Sequence, residues 1–191
     1  MPSFQTSPER SVQNQYEVHH EPLPQVELPL LQSLNLEVKD KDSVSETTEE
    51  EFRLAVYIAE KFEITLRAAL EIIKLATEHA DEDFPKRNDI LALIAVESRY
   101  NVRAKFKGCF GLMQINLKAH SKLLKRRNPL NPSVNIEVGS ITLREYYESL
   151  GKSSKAAVLS FNAGIGSYLK RKYNKEYYVK YREELKNLSR L

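Results

Sequence analysis

From Thr48 onward, apolar residues recur at three- and four-residue steps, in blocks separated by polar or turn-forming positions. Phe52, Val56, Ala59 and Phe62 form one block, and Leu66, Ala69, Leu70, Ile73 and Ala76 resume after a break near Glu63. That period puts apolar side chains on one face of an α-helix, so two packed helices are predicted here. Thr47 or Thr48 can cap the first, since a side-chain oxygen satisfies an otherwise unpaired N–H. Glu49-Glu50-Glu51 suits its positive end.

The next block has a different pattern. Asp83-Phe84-Pro85 reads as a helix entry, because proline is tolerated in a first turn, and Ile90 to Val96 are seven consecutive apolar residues that end at Glu97. A helix apolar on every side belongs in the middle of a core. Val134 to Leu150 and Ser153 to Phe161 read as further helices, while Gly108, Gly111, Asn128-Pro129 and Asn131-Pro132 mark loops. No convincing alternating strand and no internal repeat appear. The expected fold is mainly α, a single globular domain over residues 49–191, and 191 residues suffice for one such core.

Residues 1–48 are rich in Pro, Ser, Gln, Glu and Val without sustained periodicity, a composition unable to offset its own ordering entropy. They are expected to form a disordered tail. Its patch Val26-Glu27-Leu28-Pro29-Leu30-Leu31 is a candidate for docking onto a protein partner. His19-His20 lacks the i, i+4 spacing that would aim both rings at one metal.

Charge divides the chain. Residues 1–89 carry 9 Lys and Arg against 19 Asp and Glu, and residues 90–191 carry 20 against 7, so the net charge changes from −10 to +13. A basic half attracts polyanions, among them nucleic acid, anionic lipid and the carboxylate-rich bacterial wall. The one cysteine, Cys109, precludes an internal disulfide and suits a small packed residue better than a nucleophile, as no His lies near it in sequence. The start MPSFQTSPER has no apolar core of a secretory signal, and no run approaches the twenty or so residues of a membrane span.

Glu97 carries the candidate chemistry. It lies three positions after Ile94 and seven after Ile90, on the same side of the helix as both, so its carboxyl should be largely buried. Desolvation raises a carboxyl pKa and keeps a Glu protonated as an acid. Position alone equally allows an ordinary buried Glu at a helix end.

Glu97-Ser98-Arg99-Tyr100-Asn101-Val102-Arg103-Ala104 resembles the opening motif of the soluble lytic transglycosylases. Gly111-Leu112-Met113-Gln114-Ile115 resembles that family's second motif, and Asn131-Pro132 with Asn135-Ile136 and Gly139 its helix entry. Phe161-Asn162-Ala163-Gly164 resembles its third, and Tyr178-Val179 its C-terminal Tyr-Val, all in the family's order between about residues 64 and 180. The resemblance implies an α+β lysozyme-like fold, without cofactor or metal, acting on peptidoglycan glycan strands. The bond cleaved would be the β-1,4 link between N-acetylmuramic acid and N-acetylglucosamine. Glu97 would be the catalytic acid and then the base, closing the muramic C6 hydroxyl onto C1 to leave a 1,6-anhydro end. Ser98, Gln114 and Asn162 would be polar contacts of the substrate, with Asn162 also fixing a loop, and Met113 an apolar wall against a sugar ring. Gly164 would permit a tight turn, and Tyr178 would hydrogen-bond near the catalytic carboxyl, with Tyr177 and Tyr181 as neighbours easily confused with it.

The acidic residues provide a separate check. Ordinary glycosidases use two carboxylates, yet no Asp follows Asp89, and Glu137, Glu145, Glu148, Glu176, Glu183 and Glu184 sit in charged, helix-like contexts that suggest exposure. Intramolecular attack by the sugar is therefore favoured over hydrolysis. The sequence departs from the family pattern where Phe161 replaces the usual Tyr, and where bulky, basic Lys105-Phe106-Lys107-Gly108-Cys109-Phe110 replaces a small stretch.

The alternatives are a goose-type lysozyme-like hydrolase, which would leave reducing ends, and an inactive wall-binding or assembly module. Nucleic-acid binding is not expected: Lys122 to Arg127 and Lys170 to Tyr173 are basic but come with no stacking platform or groove-reading motif. A wall enzyme without a visible signal would reach its substrate within a virion or through a dedicated secretion machine.

Overall fold

Thr48 opens the first helix. Its hydroxyl accepts the Glu51 N–H at 3.2 Å while the Glu51 carboxylate accepts the Thr48 N–H at 3.0 Å, a reciprocal cap. In this computed structural model, which describes residues 47–191, α1 spans Glu49–Phe62 and stops at Glu63, which turns left-handed at φ 57°. The Thr65 hydroxyl caps α2, Leu66–Glu78. Most of the expected tail, with its Val26–Leu31 patch and the His19-His20 pair, lies outside the described residues.

The buried face of α1 is not the expected one. Leu54, Ala55 and Ile58 are buried, whereas Phe52, Val56, Ala59 and Phe62 are only partly covered. Both sets share the helical period, and the packing of α2 against α1 selects between them. On α2 the expected Ala69, Ile73 and Ala76 are buried together with Ile72.

The central helix, α3, spans Arg87–Ser98 and buries every residue from Asp89 to Ala95. It begins two residues beyond Pro85, because the Asp89 carboxylate accepts the Lys86 N–H at 2.9 Å and so sets the first turn there. The Asp83-Phe84-Pro85 segment precedes it as a bend whose Phe84 ring joins the core.

Three two-residue strands follow, β1 Lys105–Phe106, β2 Cys109–Phe110 and β3 Ile115–Asn116, paired antiparallel in the order β1-β2-β3. Lys105 faces Phe110, and Phe110 faces Ile115. Strands this short display no alternation, which is why the sequence pattern does not reveal them. A single turn, α4 (Ser121–Leu124), leads to α5 (Pro132–Ser149), capped by the Asn131 side chain with proline in its first turn. Then come α6 (Ser154–Ala163), the short α7 (Ile165–Leu169) and α8 (Lys175–Leu188). Tyr177, Tyr181 and Leu188 of α8 close the core against α3. The fold is mainly helical, and no helix among the described residues is long and apolar enough to cross a membrane.

Candidate active site

Glu97 occupies the last turn of α3, partly buried, just before Arg99 and Tyr100 turn left-handed at φ 52° and 61° and end the helix. Burial pushes its carboxyl up from 4.5 to about 7, opposed by a hydrogen bond from Tyr177. The helix terminus acts in the same sense as burial, since the negative end of the dipole disfavours an anion. The Tyr177 hydroxyl, buried on α8, donates to Glu97 Oε1 at 2.5 Å. That phenol is pushed well above its usual value, first by burial and then by the adjacent carboxyl, so it stays protonated and serves as a donor.

The tyrosine on the Glu97 carboxyl is therefore Tyr177 and not Tyr178. Successive helical residues point about 100° apart, and when Tyr177 faces α3 its neighbour is turned toward α6. The Tyr178 ring instead stands 5.7 Å from that of Tyr181 and 5.6 Å from the Lys155 ammonium. Tyr181, four residues after Tyr177, lies on the same face and donates to Asp89 Oδ1, so α8 binds both buried carboxyls of α3. Asp89 is 8% exposed and its carboxyl is raised by burial. The i, i+4 pair of tyrosines was the signal in the sequence for this clasp.

Among the described residues no second carboxylate stands opposite Glu97. Asp89 is eight residues back on the same helix, about 12 Å along its axis, and is committed to Tyr181. Glu137 pairs with Arg127, Glu148 with Lys152 and Glu184 with Lys61, while Glu145, Glu176 and Glu183 are exposed. Among the described residues no group of three His, Cys, Asp or Glu is arranged to hold a metal.

Asn135 fixes the second motif from beneath. Fully buried on α5, it donates to the carbonyls of Phe110 and Pro129, each at 2.7 Å, and accepts the Met113 N–H at 2.7 Å. Gly111 is required beside it: at φ 75° a Cβ would fall on the Asn135 amide and come within 2.8 Å of the Pro129 carbonyl. Gln114 then turns left-handed at φ 48°, partly buried, with its amide donating to the Gly111 carbonyl at 2.9 Å.

Met113, expected as an apolar wall against a sugar ring, is instead a core residue. It is 0% exposed, and its thioether occupies the space left by Gly139, where a Cβ would collide with the sulfur. Ser98 is partly buried beside Glu97 and donates to the Ile94 carbonyl at 3.2 Å, which leaves its oxygen able to accept. Asn162 is exposed near the end of α6 and makes no loop hydrogen bond, so the expected loop-fixing role is absent. Gly164 ends α6 at φ 79° and ψ 141°, a backbone region open to glycine, and its N–H returns to the Ser160 carbonyl at 2.8 Å. Phe161 packs partly buried against the core. A concavity of about 570 Å³ lies at the opposite end of α3, beside Lys86, Arg87 and Asp89. Its Asp89 and Arg87 are already engaged, with Tyr181 and Glu50.

Residues 75–184 match the family model described as the transglycosylase SLT domain. Among solved structures, the chain is similar to the 70 kDa soluble lytic transglycosylase of Escherichia coli, with 19% identity and a TM-score of 0.48. The match covers 76% of this chain but 29% of that one, so the chain spans under a third of that protein's length. No curated protein matches.

Proposed function

Because the chain belongs to the transglycosylase SLT domain family, we propose that it cleaves peptidoglycan glycan strands as a lytic transglycosylase, with Glu97 as its single acid and base. The observation that carries this reading is a partly buried carboxyl raised to about 7 and held by a phenol hydrogen bond 2.5 Å long. A carboxyl with that pKa is protonated in a substantial fraction of molecules near neutral pH and can also serve as a base once it has given up its proton. Glu97 donates its proton to the glycosidic oxygen as the C1–O bond to N-acetylglucosamine breaks. The carboxylate then takes the proton of the muramic C6 hydroxyl, whose oxygen bonds to C1 and closes the 1,6-anhydro ring. Glu97 ends protonated, and no water enters the product.

Tyr177 orients the carboxyl and stabilises the anion between the two steps, while its own high pKa prevents it from taking the proton. The lack of a carboxylate facing Glu97 among the described residues supports ring closure over hydrolysis, since a retaining or inverting glycosidase needs one within about 5–10 Å. Ser98 and Gln114 retain acceptor oxygens for hydroxyl and amide groups of the sugars, and exposed Asn162 is free to meet an N-acetyl group. The test is mass spectrometry of muropeptides released from purified peptidoglycan. Anhydromuramyl ends from the parent and none from Glu97→Gln support the proposal; products carrying an added water would convert it to a lysozyme.

A further inference from the structure

Between Glu97 and Glu137 the chain has nine Lys and Arg and no acidic residue. Arg127 alone among the nine is ion-paired with a carboxylate of the described residues, through two contacts to Glu137 at 2.6 and 3.0 Å. The other eight are exposed. Part of this excess sits on the β1–β2 hairpin, which leaves the catalytic helix almost at once. The Asn101 N–H donates to the Ser98 carbonyl, and the Gly111 N–H to the Ala104 carbonyl, so the base of the hairpin adjoins the Glu97 end of α3. Its tip, Lys107-Gly108, is a left-handed turn at φ 46° and 82°.

Near that tip Phe106 is 65% exposed, and Leu117, whose N–H donates to the Gly108 carbonyl, is 39% exposed. The Lys107 ammonium stands 5.1 Å from the Phe106 ring centroid. A single exposed apolar residue needs no explanation. An aromatic ring, a leucine and the cations Arg103, Lys105, Lys107 and Lys118, none paired with a carboxylate of the described residues, lie on the hairpin and the segments flanking the small sheet, and form a surface with both apolar and anion-seeking character.

We propose that this hairpin is a second contact for the glycan strand, outside the cleft around Glu97. The Phe106 ring stacks on the C–H face of a sugar, and the surrounding cations pair with the carboxylates of the peptide stems. The inference rests on reading the chain as acting on peptidoglycan. Sugar faces with carboxylates close by are what this combination fits. A nucleic acid would reward several stacking rings, and a bilayer a broader apolar face, where the hairpin and its neighbour Leu117 offer one exposed ring and one leucine.

The test uses the full chain carrying Glu97→Gln, so that binding is measured without cleavage, and adds Phe106→Ala, Lys105→Ser and Lys107→Ser together. These positions are exposed, so thermal unfolding of the variant should match that of its parent. Co-sedimentation with intact sacculi should weaken at least about tenfold, a loss of about 1.4 kcal/mol. Enzymatic removal of the peptide stems should weaken the parent and narrow the gap between the two proteins. Equal binding of both proteins to intact sacculi overturns the proposal. So does a loss confined to anionic vesicles or to DNA. The reading of the reaction fails separately: if the chain with Glu97 intact releases no anhydromuramyl ends, while the Glu97→Gln protein still outbinds its hairpin variant on sacculi, the chemistry is refuted and the hairpin contact stands.

Discussion

Removing the ionisable group of Glu97 should abolish cleavage and stabilise the protein, the gain appearing only above about pH 4.5, where the unfolded carboxyl ionises and the folded one resists. The folded carboxyl is raised from 4.5 to about 7, chiefly by burial. A group whose folded pKa lies above its unfolded value leaves stability intact below about pH 4.5 and takes it away as pH rises through about 7. The displacement corresponds to about 3 kcal/mol at pH 8. Glu97→Gln keeps an oxygen to accept from Tyr177 and cannot ionise, so it should recover about 2–3 kcal/mol at pH 8, or about 8 °C in Tm for a domain of this size. At pH 4 the parent is protonated both folded and unfolded, and the two proteins should melt together. Urea unfolding at pH 4, 6 and 8 measures the whole curve. Equal stabilities at pH 8, or an offset that persists at pH 4, would refute the assignment of a desolvated, elevated carboxyl.

Tyr177→Phe removes the donor that lowers the Glu97 pKa, so the alkaline limb of kcat/KM should move to higher pH while the rate falls about tenfold for loss of one oriented hydrogen bond. Tyr178→Phe should leave that limb in place, and a pH–rate profile of the three proteins decides between the two tyrosines. Tyr181→Phe strands one oxygen of a buried carboxyl and should cost about 1–3 kcal/mol in urea denaturation. Gly111→Ala adds a collision with Asn135 and Pro129 to backbone strain and should cost at least about 2 kcal/mol more than Gly108→Ala, whose Cβ would meet nothing. Comparable losses for the two glycine variants would show that the Asn135 pin is not tight.

The helices that were legible are those whose apolar residues repeat over two turns or more. Asp89 to Ala95 could only be a core helix, because no face of it carries an exposed charge, and the residue at its end was bound to inherit a desolvated setting. On α1, Phe52-Val56-Ala59 and Leu54-Ala55-Ile58 fit the same period about one residue apart in rotation, and the choice between them belongs to the partner helix. The small sheet is not legible in the sequence because two residues per strand have no period.

By itself the sequence determined that a Glu would close a buried apolar helix, that no Asp follows Asp89, and that a basic stretch without a single acid would follow Glu97. These are properties of local order and composition, which survive any arrangement of the chain. Tertiary structure decided which tyrosine meets that Glu, since Tyr177 and Tyr178 are adjacent in sequence and differ only in the face that α8 turns toward α3. It also moved Met113 from cleft wall to core, where the space left by Gly139 receives its thioether, and gave Asn135 the task of holding the second motif. Contacts of this kind join residues far apart in the chain, and their geometry exists only once the helices have packed.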